Sequence, residues 1–531
     1  MKNIPLLILL NILVSIIIFY GFGFYFDSYG STVAHLFSGL LLSEPFTDTY
    51  FICCIGQNLI LEFLYVLVNG VNWYAISLIL NYLATLVLLQ LLFILLLGEK
   101  NRIISVSISV FLSFSLILAN FVFLDQTYIT GLLIVAVISY IFLVSQITLR
   151  SIVILNILAI IAGLERLDTT FLIALFSVVL FGIYYKERCI NSLKILSPYL
   201  IVSLSLFGIF YIDKAINNDY YKEIEPAVYF VSMGNLTADE NHLSYPDFIK
   251  FNALKNDIYN DPENISVSFI LSLVNFKEGL LNSIFSFNTF YQSISKIVEN
   301  NFAFFVIVFA LLFFSLLFGQ VSKKILSLCV LILGIYLLTV SIKMESRVLN
   351  PLLICLVVLN LNSIFKSEKF KQIYFYVIVG FCLMFQLGFT FIKANEQKEK
   401  NGFKDKFLTN ISRNNDQVVV DGTSGSILSL NAFYNFSRLN LSFFTVDMGQ
   451  LTLLPQYQNF LSNKCNCNSK SSKQLFENLI VNKPDLIYLS TPERVELIKE
   501  YNLAINKIDL IFDKREELGS FENIFAYKVS L

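Results

Sequence analysis

The sequence predicts an α-helical polytopic membrane protein with about eleven transmembrane helices and a small extracytoplasmic α/β domain at its C-terminal end. Three observations predict it. Apolar runs of about 17–25 residues recur through positions 1–393, each long enough to cross a hydrocarbon core of roughly 30 Å. Charge is depleted: 15% of the 531 residues are charged and 56% are hydrophobic, where a soluble domain carries about 25% charged residues. Lys and Arg gather in alternate turns between the apolar runs. A run buried in lipid has no water to bond its peptide groups, so each must be helical. The net charge of −1 gives no bulk attraction to nucleic acid.

Hydropathy places the spans at 4–24, 73–97, 103–121, 129–149, 151–164, 169–185, 195–212, 302–318, 325–342, 348–364 and 373–392. The first run lacks a small-x-small cleavage site and is read as a retained helix, with Lys2 on the cytoplasmic side. From that start the cytoplasmic turns carry Lys100 and Arg102, Arg150, Lys186, Arg188 and Lys194, Lys323 and Lys324, and Lys366, Lys369 and Lys371. The short outer turns carry Arg166, Lys343 and Arg347. The bias holds at every turn and sets a cytoplasmic N-terminus in the plasma (inner) membrane. Outer loops 25–72 and 213–301 and the domain 394–531 then face away from the cytoplasm.

The stretch 50–68 decides the parity. Asn58, Glu62, Tyr65 and Asn69 recur at helical spacing and form a polar stripe on one face. That pattern fits a helix at the interface or lining a cavity, and counting it as a span would invert the charge bias of every later turn. In the same loop Val33, Leu36, Phe37, Leu40 and Leu41 predict a second short amphipathic helix on the membrane surface. In loop 213–301 the stretch 267–297 mixes apolar and aromatic residues with Lys277, Glu278 and Lys296, and predicts helices that rest on the membrane or cover a cavity.

Past Lys393 the composition turns polar. Strands are predicted at 417–420, 441–446, 485–489, 507–512 and 524–529, and helices at 472–481 and 492–500. Thr491 is the expected cap of the last helix, with Pro492 at its first position. The segment D-G-T-S-G-S at 421–426 reads as a turn. Cys465 and Cys467 lack the partners of a zinc site, and the chain has two His residues.

Ionisable residues near a membrane are costly and mark sites. In this orientation Asp27, Asp125, Glu165, Arg166, Asp168, Asp213, Lys343, Glu345 and Arg347 all fall at outer helix ends. A carboxylate such as Asp27 or Asp125 can take the proton of a hydroxyl nucleophile. Arg347, Lys343 and Arg166 can hold a phosphate or pyrophosphate leaving group, for which the guanidinium fork is suited. Each also has a plainer role. Asp27 can end the first helix, Asp125 can sit in an exposed turn, and Glu165, Arg166 and Asp168 can pair within a tight turn. Arg347 can anchor the interface, and His35 can be a surface imidazole.

The layout resembles the GT-C class of membrane glycosyltransferases, which use polyprenyl-phosphate-linked sugars. The resemblance rests on Y-F-D-S-Y around Asp27, S-E-P-F-T-D-T-Y and N-W-Y before the second span, F-L-D-Q-T-Y-I-T around Asp125, G-L-E-R-L-D around Arg166 and E-S-R-V-L-N-P-L around Arg347. It extends over nearly the whole chain through short motifs. It implies a GT-C-like fold, a polyprenyl-phosphate sugar donor, a glycan, lipid or protein acceptor, Asp27 as base and Arg347 at the lipid phosphate. His35, Glu62, Glu165 and Asp168 are supporting candidates. Many relatives carry two adjacent acids where this chain has Asp27 followed by Ser28, so the base and any divalent metal stay open, with Glu44 and Asp48 the next acids. A polysaccharide polymerase or ligase makes the same demand on lipid phosphate. A transporter or flippase would show repeated halves or charge at mid-membrane, and the sequence has neither.

Overall fold

The computed structural model describes residues 4–26, 55–68, 71–97, 102–217, 243–256, 261, 264–266, 269, 272–273, 302–318, 346–365, 372–413, 417–420, 427, 431–434, 442–445, 455–466, 472–482 and 486–531. Two units are distinguished: unit 1 (Met1–Tyr25, Ala75–Ile209 and Ser283–Gln397) and unit 2 (Phe26–Tyr74, Phe210–Asn282 and Lys398–Leu531).

The helices in chain order are α1 (Ile4–Gly21), α2 (Ile55–Leu67), α3 (Trp73–Leu97), α4 (Arg102–Val122), α5 (Gln126–Leu143), α6 (Leu149–Glu165), α7 (Leu167–Tyr184), α8 (Lys186–Asn217), α9 (Tyr245–Lys255), α10 (Phe302–Phe318), α11 (Ser346–Phe365), α12 (Gln372–Ser412), α13 (Pro455–Cys465), α14 (Ser472–Asn482) and α15 (Pro492–Tyr501). Five of them are long and apolar enough to cross a membrane, over Trp73–Leu97, Ile103–Val122, Gln126–Leu143, Lys186–Ile209 and Tyr374–Ser412. Shorter apolar helices lie at Leu7–Gly21, Thr169–Tyr184, Phe302–Phe313 and Arg347–Asn362. The chain is therefore a multi-pass helical membrane protein. Of the spans the sequence predicts, 325–342 lies outside the described residues, as do the 33–41 helix and most of 267–297.

In unit 1, α5 is the central helix. Every one of its residues except Tyr140 and Leu143 is buried, and it packs against α6, α7 and α11. A helix apolar all round belongs in such a place. Peripheral helices show the reverse. Ile8, Leu9, Ile12, Leu13, Ile16 and Ile17 of α1 are exposed, as lipid-facing residues must be. One pair of polar side chains inside the unit is bonded across two helices. Asn11 and Gln90, both 0% exposed, exchange two amide hydrogen bonds of 2.8 and 2.9 Å.

Two predicted boundaries move. The span expected at 129–149 is α5, which starts at Gln126 because the Asp125 carboxylate caps it. It ends at Leu143, where Arg188 Nη1 donates to the Phe142 and Leu143 carbonyls at 3.3 Å. Thr148 then caps α6. The span expected at 195–212 is part of α8, which starts at Lys186 and continues through Pro198. Proline leaves the carbonyl four residues back without its helical donor. Ser197 Oγ donates to that Lys194 carbonyl at 2.8 Å. One turn on, the Asn156 amide of α6 donates to the Ile195 carbonyl at 2.9 Å and accepts from Tyr199 N–H at 3.2 Å.

The 41 residues of α12 extend about 60 Å at 1.5 Å per residue, twice a hydrocarbon core. Its apolar part stops at Ile392, and beyond Lys393 the helix is polar.

Unit 2 contains a mixed sheet of β1 (Gln417–Val420), β2 (Ser442–Thr445), β3 (Ile487–Ser490), β4 (Ile511–Lys514), β5 (Ser520–Phe521) and β6 (Ile524–Ser530). The order is β2-β1-β3-β6-β4, with β5 also on β6. β1 runs parallel to β2 and β3, while β6 is antiparallel to β3, β4 and β5. Thr491 caps α15 by accepting from Arg494 N–H. The strand expected at 507–512 is β4, at 511–514. The chain after α15 instead winds one π turn (Asn502–Asn506) and leaves it through Lys507 at φ 59°. The segment after α8 is bonded into this unit. Tyr501 Oη donates to Asp261 Oδ2 at 2.8 Å, Asn264 Nδ2 donates to Asp261 Oδ2 at 2.9 Å and to Asn506 Oδ1 at 3.1 Å, and Arg494 donates to the Asn256 carbonyl.

Candidate functional site at one end of unit 1

The charged residues of unit 1 are positioned by helix ends. Asp125 is extended (φ −121°, ψ 116°) and its carboxylate accepts from Tyr128 N–H at 3.0 Å. The acid thus satisfies one of the donors that every helix start leaves open. It is half-buried in that role, rather than an exposed turn residue.

The α6–α7 connection is a single residue, Arg166. Its N–H still donates to the Ala162 carbonyl at 3.1 Å, and its own carbonyl accepts Thr170 N–H at 3.1 Å and Thr170 Oγ1 at 2.6 Å. Arg166 therefore ends one helix and begins the next, and is held at the tip of the pair. Preceding it, Glu165 is 4% exposed. Asn81 Nδ2 donates to Glu165 Oε1 at 2.5 Å, and Gln126 Nε2 donates to the Glu165 carbonyl at 3.0 Å. A buried carboxyl is costly without such partners. These bonds join α3, α5 and α6.

Gly131 brings two further helices to the same end. A Cβ on it would stand 2.5 Å from Ile173 Cδ1 of α7 and 3.1 Å from Pro351 Cγ of α11. Gly131, Ile173 and Pro351 each lie within two turns of their helix starts. Asp125, Arg166 and Arg347 precede them by four to seven residues, about 6–10 Å of helix. The acids Asp125 and Glu165 and the bases Arg166 and Arg347 accordingly sit at one end of unit 1.

Of the other sequence-predicted site residues, Asp27, His35, Lys343 and the Asp168 side chain lie outside the described residues. Glu62 is half-buried on α2, in unit 2. Sequence reading missed Asn81 and Gln126. The available signal was an amide inside an apolar run, W-Y-A-I-S-L-I-L-N, and such residues face partners rather than lipid. Among the described residues no group of three or more His, Cys, Asp or Glu side chains could hold a metal ion. Chemically, the end of unit 1 offers carboxylates able to take or position a proton and guanidinium groups able to bind phosphate oxygens.

No family model, no curated protein and no solved structure matches this chain.

Proposed function

We propose that the chain is a membrane glycosyltransferase moving a sugar from a polyprenyl-phosphate carrier to an extracytoplasmic glycan, lipid or protein. The observation that carries this reading is the gathering of Asp125, Glu165, Arg166 and Arg347 at one end of a bundle whose apolar helices carry no charge along their middles. In the reaction an acceptor hydroxyl oxygen bonds to the anomeric carbon as the bond to the carrier phosphate oxygen breaks. The phosphate keeps that electron pair, and its growing charge is met by Arg347, with Arg166 and Lys343 in support. Asp27 takes the hydroxyl proton, with Asp125 the second candidate. The carrier's hydrocarbon tail stays in lipid, which suits a reaction centre at helix ends.

The bonding inside unit 2 supports a common side for the two predicted outer loops and the C-terminal domain. Asn72 Nδ2 donates to the Ala432 carbonyl at 2.6 Å, and Asp261 is bonded to Tyr501. The end of loop 25–72, part of loop 213–301 and the C-terminal domain are thus tied together and share one side of the bilayer. The chain then crosses an even number of times between residues 72 and 245, and again between 265 and 398. The spans predicted from sequence meet both conditions, and the positive charges make the shared side extracytoplasmic.

The test is transfer of labelled sugar from a polyprenyl-phosphate donor in membranes carrying the wild-type chain, Asp27→Asn or Arg347→Gln. Loss of about 100-fold or more in each variant at equal protein level is expected, the scale of a lost base or charge stabiliser. Undiminished transfer in both variants would overturn the assignment of these residues, and no wild-type transfer from any lipid-linked sugar would overturn the function.

A further inference from the structure

We infer that α2 lies flat in the membrane–water interface, with Ile60, Phe63, Val66 and Leu67 in the outer acyl region of one lipid leaflet. This surface stands apart from the sugar-transfer reading.

Length argues first. The 13 residues of α2 span about 20 Å, short of the roughly 30 Å needed to cross. Its faces argue next. Leu61 and Tyr65, one turn apart, are 1% and 3% exposed. Tyr65 Oη donates to Asn72 Oδ1 and accepts from Tyr74 N–H, both at 3.2 Å, so this face is bonded to the chain that follows. On the opposite face Ile60 is 58%, Phe63 62%, Val66 71% and Leu67 61% exposed. At 100° per residue these four fill an arc of about 120°, and Glu62 falls at its edge. The apolar residues point outward and the bonded tyrosine inward, the reverse of a helix on a water-soluble domain. Four large apolar side chains left in water would be a large unmet driving force.

The following chain identifies the occupant. Six residues after Leu67, Trp73 opens α3, which is of membrane-crossing length and apolarity. Trp73 Nε1 donates to the Val68 carbonyl at 3.1 Å, fixing the indole against the end of α2. Tryptophan favours the headgroup level, and here it marks where the chain enters the bilayer. α2 ends at that level, so its bare face meets lipid. The helix contains no Lys or Arg, so the contact is apolar and does not require anionic lipid.

Trp73 is the chain's only tryptophan, which makes depth measurable. In the Trp73→Phe background, tryptophan is introduced singly as Ile60→Trp, Phe63→Trp and Val66→Trp. The full chain is reconstituted in phosphatidylcholine vesicles containing lipids doxyl-labelled at a shallow or a deep acyl carbon. All three variants should lose fluorescence several-fold more to the shallow label than to the deep one, and equally. Quenching by aqueous acrylamide without lipid quenching would overturn the inference by placing the face in water, and quenching by neither would overturn it by placing the face against protein. Depth increasing steadily from position 60 to 66 would also overturn it, making α2 a crossing helix. The unmodified chain gives a second reading. A diazirine-bearing phosphatidylcholine should label the peptide containing residues 60–67, and labelling elsewhere but not there would overturn the inference.

Discussion

Lys404 carries a buried ammonium group in unit 2. It lies on the polar part of α12, where an ammonium group reads as solvent-facing, yet it is 5% exposed. Its Nζ sits 5.2 Å from the centre of the Phe521 ring, and the adjacent Glu522 pairs with Lys400 at 3.1 Å. Burial pushes the Lys404 ammonium down to about 8. Glu522 acts against that shift, and Lys400 adds to it. Between that value and the ordinary lysine value of 10.5 the folded chain holds fewer protons than the unfolded chain, so stability rises with pH across the window and is lost as pH falls through about 8. Thermal unfolding of the purified protein should show this rise, and Lys404→Met should flatten it while raising the neutral-pH midpoint. A variant with the wild-type slope would contradict the assignment. Other residues differ in legibility for a physical reason. The Thr491 cap was readable because its partner, Arg494 N–H, is three residues away. The Asn81–Glu165 bond joins residues 84 positions apart, and nothing local signals it.

Element boundaries have local causes and causes on neighbouring helices, and both ends of α5 depart from the predicted 129–149. Asp125 starts it three residues earlier through its own carboxylate, a local signal that the sequence reading did not use, whereas Arg188, 45 residues beyond Leu143, meets its last carbonyls. Likewise α8 runs through Pro198, which removes a helical donor, with Ser197 and Asn156 meeting the polar groups around the proline. Packing at Gly131 has the same non-local character. A methyl group there would overlap Ile173 Cδ1 at 2.5 Å and press on Pro351. Gly131→Ala should therefore destabilise the detergent-solubilised protein by about 1–3 kcal/mol, the usual cost of overpacking. Adding Ile173→Val, which removes Cδ1, should recover part of that loss in thermal unfolding. Additive losses in the double variant would show that α5 and α7 do not meet at this glycine.

For the whole molecule, the membrane class and the small α/β domain were readable from apolar run length and from alternation of strand and helix patterns. The sheet order was not, because strand neighbours such as Val419 and Phe444, or Leu489 and Ala526, pair across long separations. Nor was the attachment of the Asp261 segment to the π turn after α15, where Asn264 and Tyr501 carry the bonds. That attachment matters for topology, since it ties two segments of the chain to one compartment. The sugar-transfer account depends on that compartment being extracytoplasmic. The most direct measurement is labelling of intact cells with a membrane-impermeant maleimide. The chain's eight cysteines are replaced, and one cysteine is returned by Tyr245→Cys, Val481→Cys or Arg150→Cys. Labelling at 245 and 481 before lysis, with 150 reached only after it, is the predicted result. Labelling at 150 alone in intact cells would contradict the account.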